Sequence, residues 1–302
     1  MTTQIAIPIY SNDPEHADFG VEDKKRGKVY VGVLSVLDII IFYLDKTQTD
    51  GKDPEDVLSF PLSHALGSSK EGSRIWVAWS DATIGDAMDT LSKGVHRLLV
   101  PVEVDGDKDT FEFHVLSQLD LVKFLYSRFS KEPKLQAKAE MTLLELDLVS
   151  ADDADGLPSE NASMVISVEP RWNCSKALRL MADNYLNAVA VVPASPSKPY
   201  ILSTLSLSDL RSIPLQFLNS DPTVEELLCR VHKVDEIEQL RSKLVTVKET
   251  DPLQYTVEKM LSSNIHRVWV VGEGGAAKDV VSLTNVLKVL LLEKRSVSAK
   301  RQ

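Results

Sequence analysis

The most constraining feature of this chain is an internal repeat. Four times, an apolar strand runs into Ser-x-x-Asp or Ser-x-x-Asn and then into an amphipathic stretch: Val31–Asp38, Val115–Asp120, Ser203–Asp209 and Val280–Asn285. A fixed repeat of this size means that one supersecondary unit is being copied, and the fold must be built by stacking the copies. Upstream of these endings lies a second shared block. In the second copy, Ile75–Trp79 reads as a strand and Asp81 as a cap, with Ile84, Ala87, Met88 and Leu91 on one helix face. His96 then precedes the strand Arg97–Val104. In the fourth copy Leu244–Val247 is a strand, Asp251 the cap and Pro252 the first helical residue; Leu253, Val257, Met260 and Leu261 form the apolar stripe before Arg267–Val271. The third copy follows suit with Val165–Val168, the helix of Cys174, Ala177, Leu178 and Met181, and then Ala188–Val192. After the closing strands, Leu121, Phe124 and Leu125 predict one buried helix face, and Val286, Leu287 and Leu290 another.

Each copy therefore reads strand, helix, strand, strand, helix, a mixed α/β unit. The closing strands are joined by polar turns at 105–109, 193–199 and 272–275. One copy is too small to bury its own sheet, so the copies are expected to pair face to face. The first is incomplete: Ile5–Tyr10 matches the second strand of a unit, and the strand and helix expected before it are missing, as in a truncated start. The boundaries follow as 1–46 for a partial repeat 1, 55–130 for repeat 2, 140–213 for repeat 3 and 214–294 for repeat 4. The acidic Asp152–Asp155 falls in a solvated linker, and Lys294, Arg295, Lys300 and Arg301 in a frayed tail.

The residues around these endings resemble the cystathionine-β-synthase-type (CBS) domain family, across nearly the whole chain. Four copies paired into two Bateman modules look like the γ subunit of AMP-activated and SNF1-type protein kinases. Leu58–Leu66 and Leu215–Leu228 resemble the linker helices that lead into the even-numbered repeats of that family. The resemblance implies a non-catalytic regulator that binds AMP, ADP or ATP between repeats and serves kinase catalytic and scaffold subunits. It implies no catalytic cofactor, and a cytoplasmic address, with a nuclear one as an alternative.

It also implies a set of site residues. The acid opening each last helix binds ribose in that family, which points to Asp38, Asp120 and Asp209, with Asn285 in the fourth copy. The basic residues before the second strand meet phosphate, which points to His96, Arg97, His266 and Arg267. The chemistry is sound, because a carboxylate can accept two hydrogen bonds from a vicinal diol and Arg grips phosphate oxygens bidentately. Departures are visible too. Repeat 1 offers Ile5 where the family has Arg, repeat 3 offers Asn187, and Asn285 replaces an acid. Asp209 with His266 and Arg267 is the first choice of cleft, then Asp38 or Asp120 with His96 and Arg97. A rival reading keeps the fold and drops the ligand, leaving a scaffold that binds a protein partner.

Each of these features has a plainer reading. Ser35, Ser117, Ser206 and Ser282 can cap their helices while the residue three places on supports the positive end of the helix dipole. Capping and ribose binding are compatible, and both stay open. His16, His64, His114 and His232 show no metal spacing and read as surface or satisfied core residues. Trp76, Trp79, Trp172 and Trp269 sit in or beside strands, where packing is the expected role.

Composition closes off other classes. A net charge of −10 argues against nucleic acid and anionic membranes as broad partners. No apolar run reaches the length of a membrane span, and the N-terminus lacks the pattern of a secretory signal. Cys174 and Cys229 form no CxxC pair, so a reducing compartment fits better than a disulfide framework.

Overall fold

The computed structural model describes residues 5–9, 21–23, 28–69, 75–79, 81–104, 107–149, 165–194 and 200–291. The Asp152–Asp155 linker, the C-terminal basic residues and His16 lie outside them.

In repeat 1, β1 (Ile5–Ile9), β2 (Val21–Asp23) and β3 (Lys28–Leu34) form a sheet ordered β1-β3-β2, followed by α1 (Val36–Leu44) and a π-helical turn, Asp45–Thr49. A short helix α2 (Pro54–Leu58) leads towards repeat 2, which holds α3 (Ile84–Leu91), β4 (Arg97–Val104), β5 (Asp107–Ser117) and α4 (Gln118–Tyr126). The linker helix α5 (Pro133–Glu140) precedes repeat 3, made of β6 (Ser167–Val168), α6 (Cys174–Asp183), β7 (Ala188–Val191), β8 (Ser203–Ser206) and α7 (Leu207–Leu210). After α8 (Val224–His232) comes repeat 4, with β9 (Thr246–Val247), α9 (Leu253–Ser262), β10 (Arg267–Val271), β11 (Ala277–Ser282) and α10 (Leu283–Leu291).

The register shows that these are copies of one unit. The first strand pairs parallel with the second at Ser167↔Ala190 and Thr246↔Trp269, and at the single bridge Val77↔Leu99. The second strand then pairs antiparallel with the third, at Val189↔Leu205 and Val268↔Val281. β1 joins β3 in the same way at Ile5↔Leu34, which makes it the second strand of repeat 1. Because side chains alternate along a strand, Val189, Val191, Val268 and Val270 face the helices, and all are buried.

The chain divides into two compact units, and each is built from alternate repeats. The odd unit holds repeats 1 and 3. Its core joins Leu37, Ile40 and Ile41 of α1 to Ala177, Leu178 and Met181 of α6 and to Val224, Leu227 and Leu228 of α8. The even unit holds repeats 2 and 4. Its core joins Leu91 of α3 and Val122 and Leu125 of α4 to Val257 and Met260 of α9 and to Val286 and Leu287 of α10. These helical cores unite alternate repeats. Each such aliphatic side chain contributes about 1.5–3 kcal/mol when fully buried, and helices this short depend on that packing.

Several local expectations are corrected. Thr83, not Asp81, caps α3, because Asp86 completes a reciprocal capping box with it. Pro252 stands at the N-cap position of α9 with no side-chain cap, while Asp251 accepts a hydrogen bond from Lys248 N at 2.8 Å. Ile84 and Phe124 are exposed; the guanidinium of Arg128 lies 4.9 Å from the Phe124 ring centroid. Trp269 is buried, but Trp76 and Trp79 are about half exposed, since the first strand of repeat 2 shrinks to one bridge. Neither lead-in segment is one continuous helix. The first breaks at Pro61 and the second at Asp221–Pro222, where Asp221 takes a left-handed backbone. The expected turn at 105–109 is shorter, as β5 begins at Asp107, while 272–275 is a tight turn with Gly274 and Gly275 at positive φ.

Candidate nucleotide site at the helix starts

The Ser-x-x-Asp motif caps a helix in every copy. Ser35, Ser117 and Ser206 each donate, from both N–H and Oγ–H, to one carboxylate oxygen three residues on. In repeat 4 the same two donors of Ser282 meet Asn285 Oδ1. A backbone N–H requires an acceptor, so this contact fixes which way the Asn285 amide points and leaves Nδ2 as the outward group. The capping role thus occupies one side-chain oxygen per repeat and leaves one further atom for a ligand.

What that atom meets differs between copies. Asp38 is fully buried, and its Oδ1 accepts from Ser69 N at 2.8 Å and from Ser69 Oγ at 2.7 Å. Both oxygens are therefore engaged, and in this conformation Asp38 offers nothing to a ribose. Asp209 is also buried, with His232 Nε2 3.1 Å from its Oδ1. Asp120 is exposed, and among the described residues its Oδ1 accepts no hydrogen bond. Asn285 is half-buried and presents an amide donor where its counterparts present an acceptor.

The basic dipeptides sit beside the same helix starts. The carbonyl of His96 accepts from Gln118 N at 3.1 Å, and that of His266 from Leu283 N at 3.0 Å. Asn187 holds the equivalent place in repeat 3, accepting from Leu207 N at 3.0 Å. Each contact ties the residue before the second strand to the first turn of the last helix. Arg97 and Arg267 follow directly, Arg267 being paired with the cap Ser282 across the strands. Repeat 1 needs a correction here. The Ile5↔Leu34 pair matches Val268↔Val281, so Ile5 lies inside the strand, one residue past the position of Arg267. Gln4 would take that position and lies outside the described residues.

In the even unit the two helix starts are joined. Gln118, the first residue of α4, donates from Nε2 to Thr284 Oγ1 of α10 at 2.8 Å and to Leu91 O at 2.9 Å. Both His-Arg dipeptides, Asp120 and Asn285 therefore belong to one unit, the dipeptides tied through their backbones to two helix N-termini. Asp209 belongs to the odd unit, and His266 with Arg267 to the even one.

A family model for the CBS domain matches residues 234–292. Protein MJ1225 of Methanocaldococcus jannaschii, described as a candidate archaeal homologue of γ-AMPK, superposes with a TM-score of 0.61 at 16% identity, covering 86% of this chain and 84% of that one. The fold is that of tandem CBS repeats. The sequence also resembles named regulatory subunits. It is 26% identical over 296 residues to the SNF1-related protein kinase regulatory subunit gamma-like PV42b of Arabidopsis thaliana, covering 89% of this chain and 78% of the relative. Protein SDS23 of Saccharomyces cerevisiae is 27% identical over 191 residues, covering 60% of this chain and 34% of its own length.

Two partners at the helix starts had no signal in the sequence. Ser69 lies 31 residues from Asp38 and follows no motif. His232 stood among histidines with no metal spacing, and it is satisfied, but by a candidate ribose acid. The His64 ring lies tilted against Phe60, with ring centroids 5.5 Å apart, and His114 is exposed. Among the described residues no group of three or more His, Cys, Asp or Glu could hold a metal ion, and no helix is long and apolar enough to cross a membrane.

Proposed function

We propose that this chain is a non-catalytic regulatory subunit that binds an adenine nucleotide at the helix starts of its even unit and acts on a SNF1-type protein kinase. The observation that carries the reading is the gathering of His96–Arg97, His266–Arg267, Asp120 and Asn285 around the linked N-termini of α4 and α10. Asp120 supplies the acceptor a ribose diol needs, and the arginines supply bidentate donors for phosphate. The resemblance to γ-like subunits supports the kinase role, with catalytic and scaffold subunits as partners. Ligand binding would regulate by favouring whichever state of the complex binds it more tightly.

The test is isothermal titration of the purified chain with AMP, ADP and ATP, repeated on Arg97→Ala, Arg267→Ala and Asp120→Asn. Binding in the micromolar range that weakens about tenfold or more in the arginine variants is expected. A second reading, a scaffold that binds a protein without nucleotide, is favoured by the engagement of Asp38 and Asp209 within the chain. A folded sample that gives no heat with any of the three nucleotides would select it.

A further inference from the structure

Asp209 and Asp38 are both engaged by the chain, but in physically different ways. Asp38 Oδ1 is held partly by a backbone group, Ser69 N, so releasing it requires the chain itself to move. Asp209 Oδ1 is covered by one side chain, that of His232, at 3.1 Å. The cap of α7 rests on the other oxygen, through Ser206 N at 2.7 Å and Ser206 Oγ at 2.8 Å. A rotation of the imidazole therefore uncovers Oδ1 and leaves the helix start intact. His232 is one-third exposed, so solvent already reaches the ring, whereas only a tenth of the Asp209 side chain is exposed.

We infer that His232 is a latch over a second diol-binding site in repeat 3, which opens when a nucleoside phosphate displaces the ring from Asp209. The inference rests on the nucleotide reading above and adds a site with its own gate. A ribose hydroxyl and the imidazole compete for one carboxylate oxygen, so ligand affinity at Asp209 is reduced by the free energy of the histidine contact. The location gives the latch a route outward. His232 is the last residue of α8, Lys233 follows with a left-handed backbone at φ 54°, and the CBS-matched stretch begins at 234. The body of α8 stays fixed by Val224, Leu227 and Leu228, which are buried against repeat 3. Displacement of the ring is thus felt at the last turn of α8, where the chain passes into repeat 4.

The experiment is a calorimetric titration with AMP of the wild-type chain, His232→Ala, His232→Asn, His232→Gln and the double variant His232→Ala with Asp209→Asn. Ala and Asn are too short to reach Asp209, whereas the Gln amide can still donate to it. The Asp209→Asn change keeps the cap, as Asn285 does in repeat 4. The expected result is one additional AMP per chain, or affinity at least about tenfold tighter, in His232→Ala and His232→Asn. That gain should be absent from His232→Gln and from the double variant. If the wild type binds AMP and both short variants match it in stoichiometry and affinity, the latch is overturned while the nucleotide reading stands. If neither the wild type nor the short variants bind AMP, both fall. A gain that survives Asp209→Asn also overturns the latch, because it would arise elsewhere.

Discussion

The odd and even units start from the same motif and use it differently. In repeats 1 and 3 the acid that opens the last helix is buried and engaged, Asp38 by Ser69 and Asp209 by His232. In repeats 2 and 4 the equivalent positions are Asp120, exposed, and Asn285, half-buried with an outward amide, and both stand beside His-Arg dipeptides. The Ser-x-x-Asp signature therefore specifies a helix start in every copy, and what meets the second side-chain atom differs from copy to copy. A repeat protein can in this way keep its architecture in all copies while varying the surroundings of the same acid.

The largest effect that sharpens this contrast is on stability. Asp38→Ala removes the acceptor for Ser35 and for both donors of Ser69, all buried, and should destabilise the odd unit by roughly 3 kcal/mol. Asp120→Ala removes only an exposed cap and should cost about 1 kcal/mol. Denaturant unfolding of both variants measures the difference, and equal losses would break the contrast.

A second test exploits the cysteines, which both belong to the odd unit. Burial first, with Asp221 and Glu226 adding, pushes the Cys174 thiol up to about 12, from a usual value of 9.0. Burial raises Cys229 as well. A thiol whose folded value is raised stabilises the fold fully below its unfolded value, and that contribution is lost as pH rises through the folded one. Stability should therefore decline between about pH 9 and pH 12, and Cys174→Ala should flatten that decline. Native Cys174 should also resist alkylation at pH 8, when unfolded chain reacts readily. Rapid native labelling would contradict this.

The smallest expected effect concerns repeat 4. Asn285→Asp restores an acceptor while keeping the cap, and should tighten AMP binding by a few fold, with the gain lost for 3′-deoxy-AMP. Weaker binding would mean that the Asn285 amide itself meets the nucleotide.

Much of the fold was legible because the repeat is written in strand alternation and helical spacing, signals that are local in sequence. The capping boxes at Ser35, Ser117, Ser206 and Ser282 could be read for the same reason, as donor and acceptor lie three residues apart. Ser69 and His232 could not, because what covers a carboxylate is decided by chain segments far away or by a helix end with no motif. The union of alternate repeats was hidden for a related reason. A buried stripe such as Val286, Leu287 and Leu290 announces that a face is covered, but not which copy covers it. The cap at Asp81 was misread because Thr83, two positions on, completes a box with Asp86, and the one at Asp251 because α9 starts a residue later than the pattern suggests.

The central claim is that the ligand chemistry lies in the even unit. Amide hydrogen exchange of the wild-type chain, with and without saturating AMP, tests it most directly. The account predicts added protection at 96–98, 117–121 and 282–286, with 35–41 unchanged. Protection confined to 35–41, or none anywhere despite measurable AMP binding at those concentrations, would contradict it.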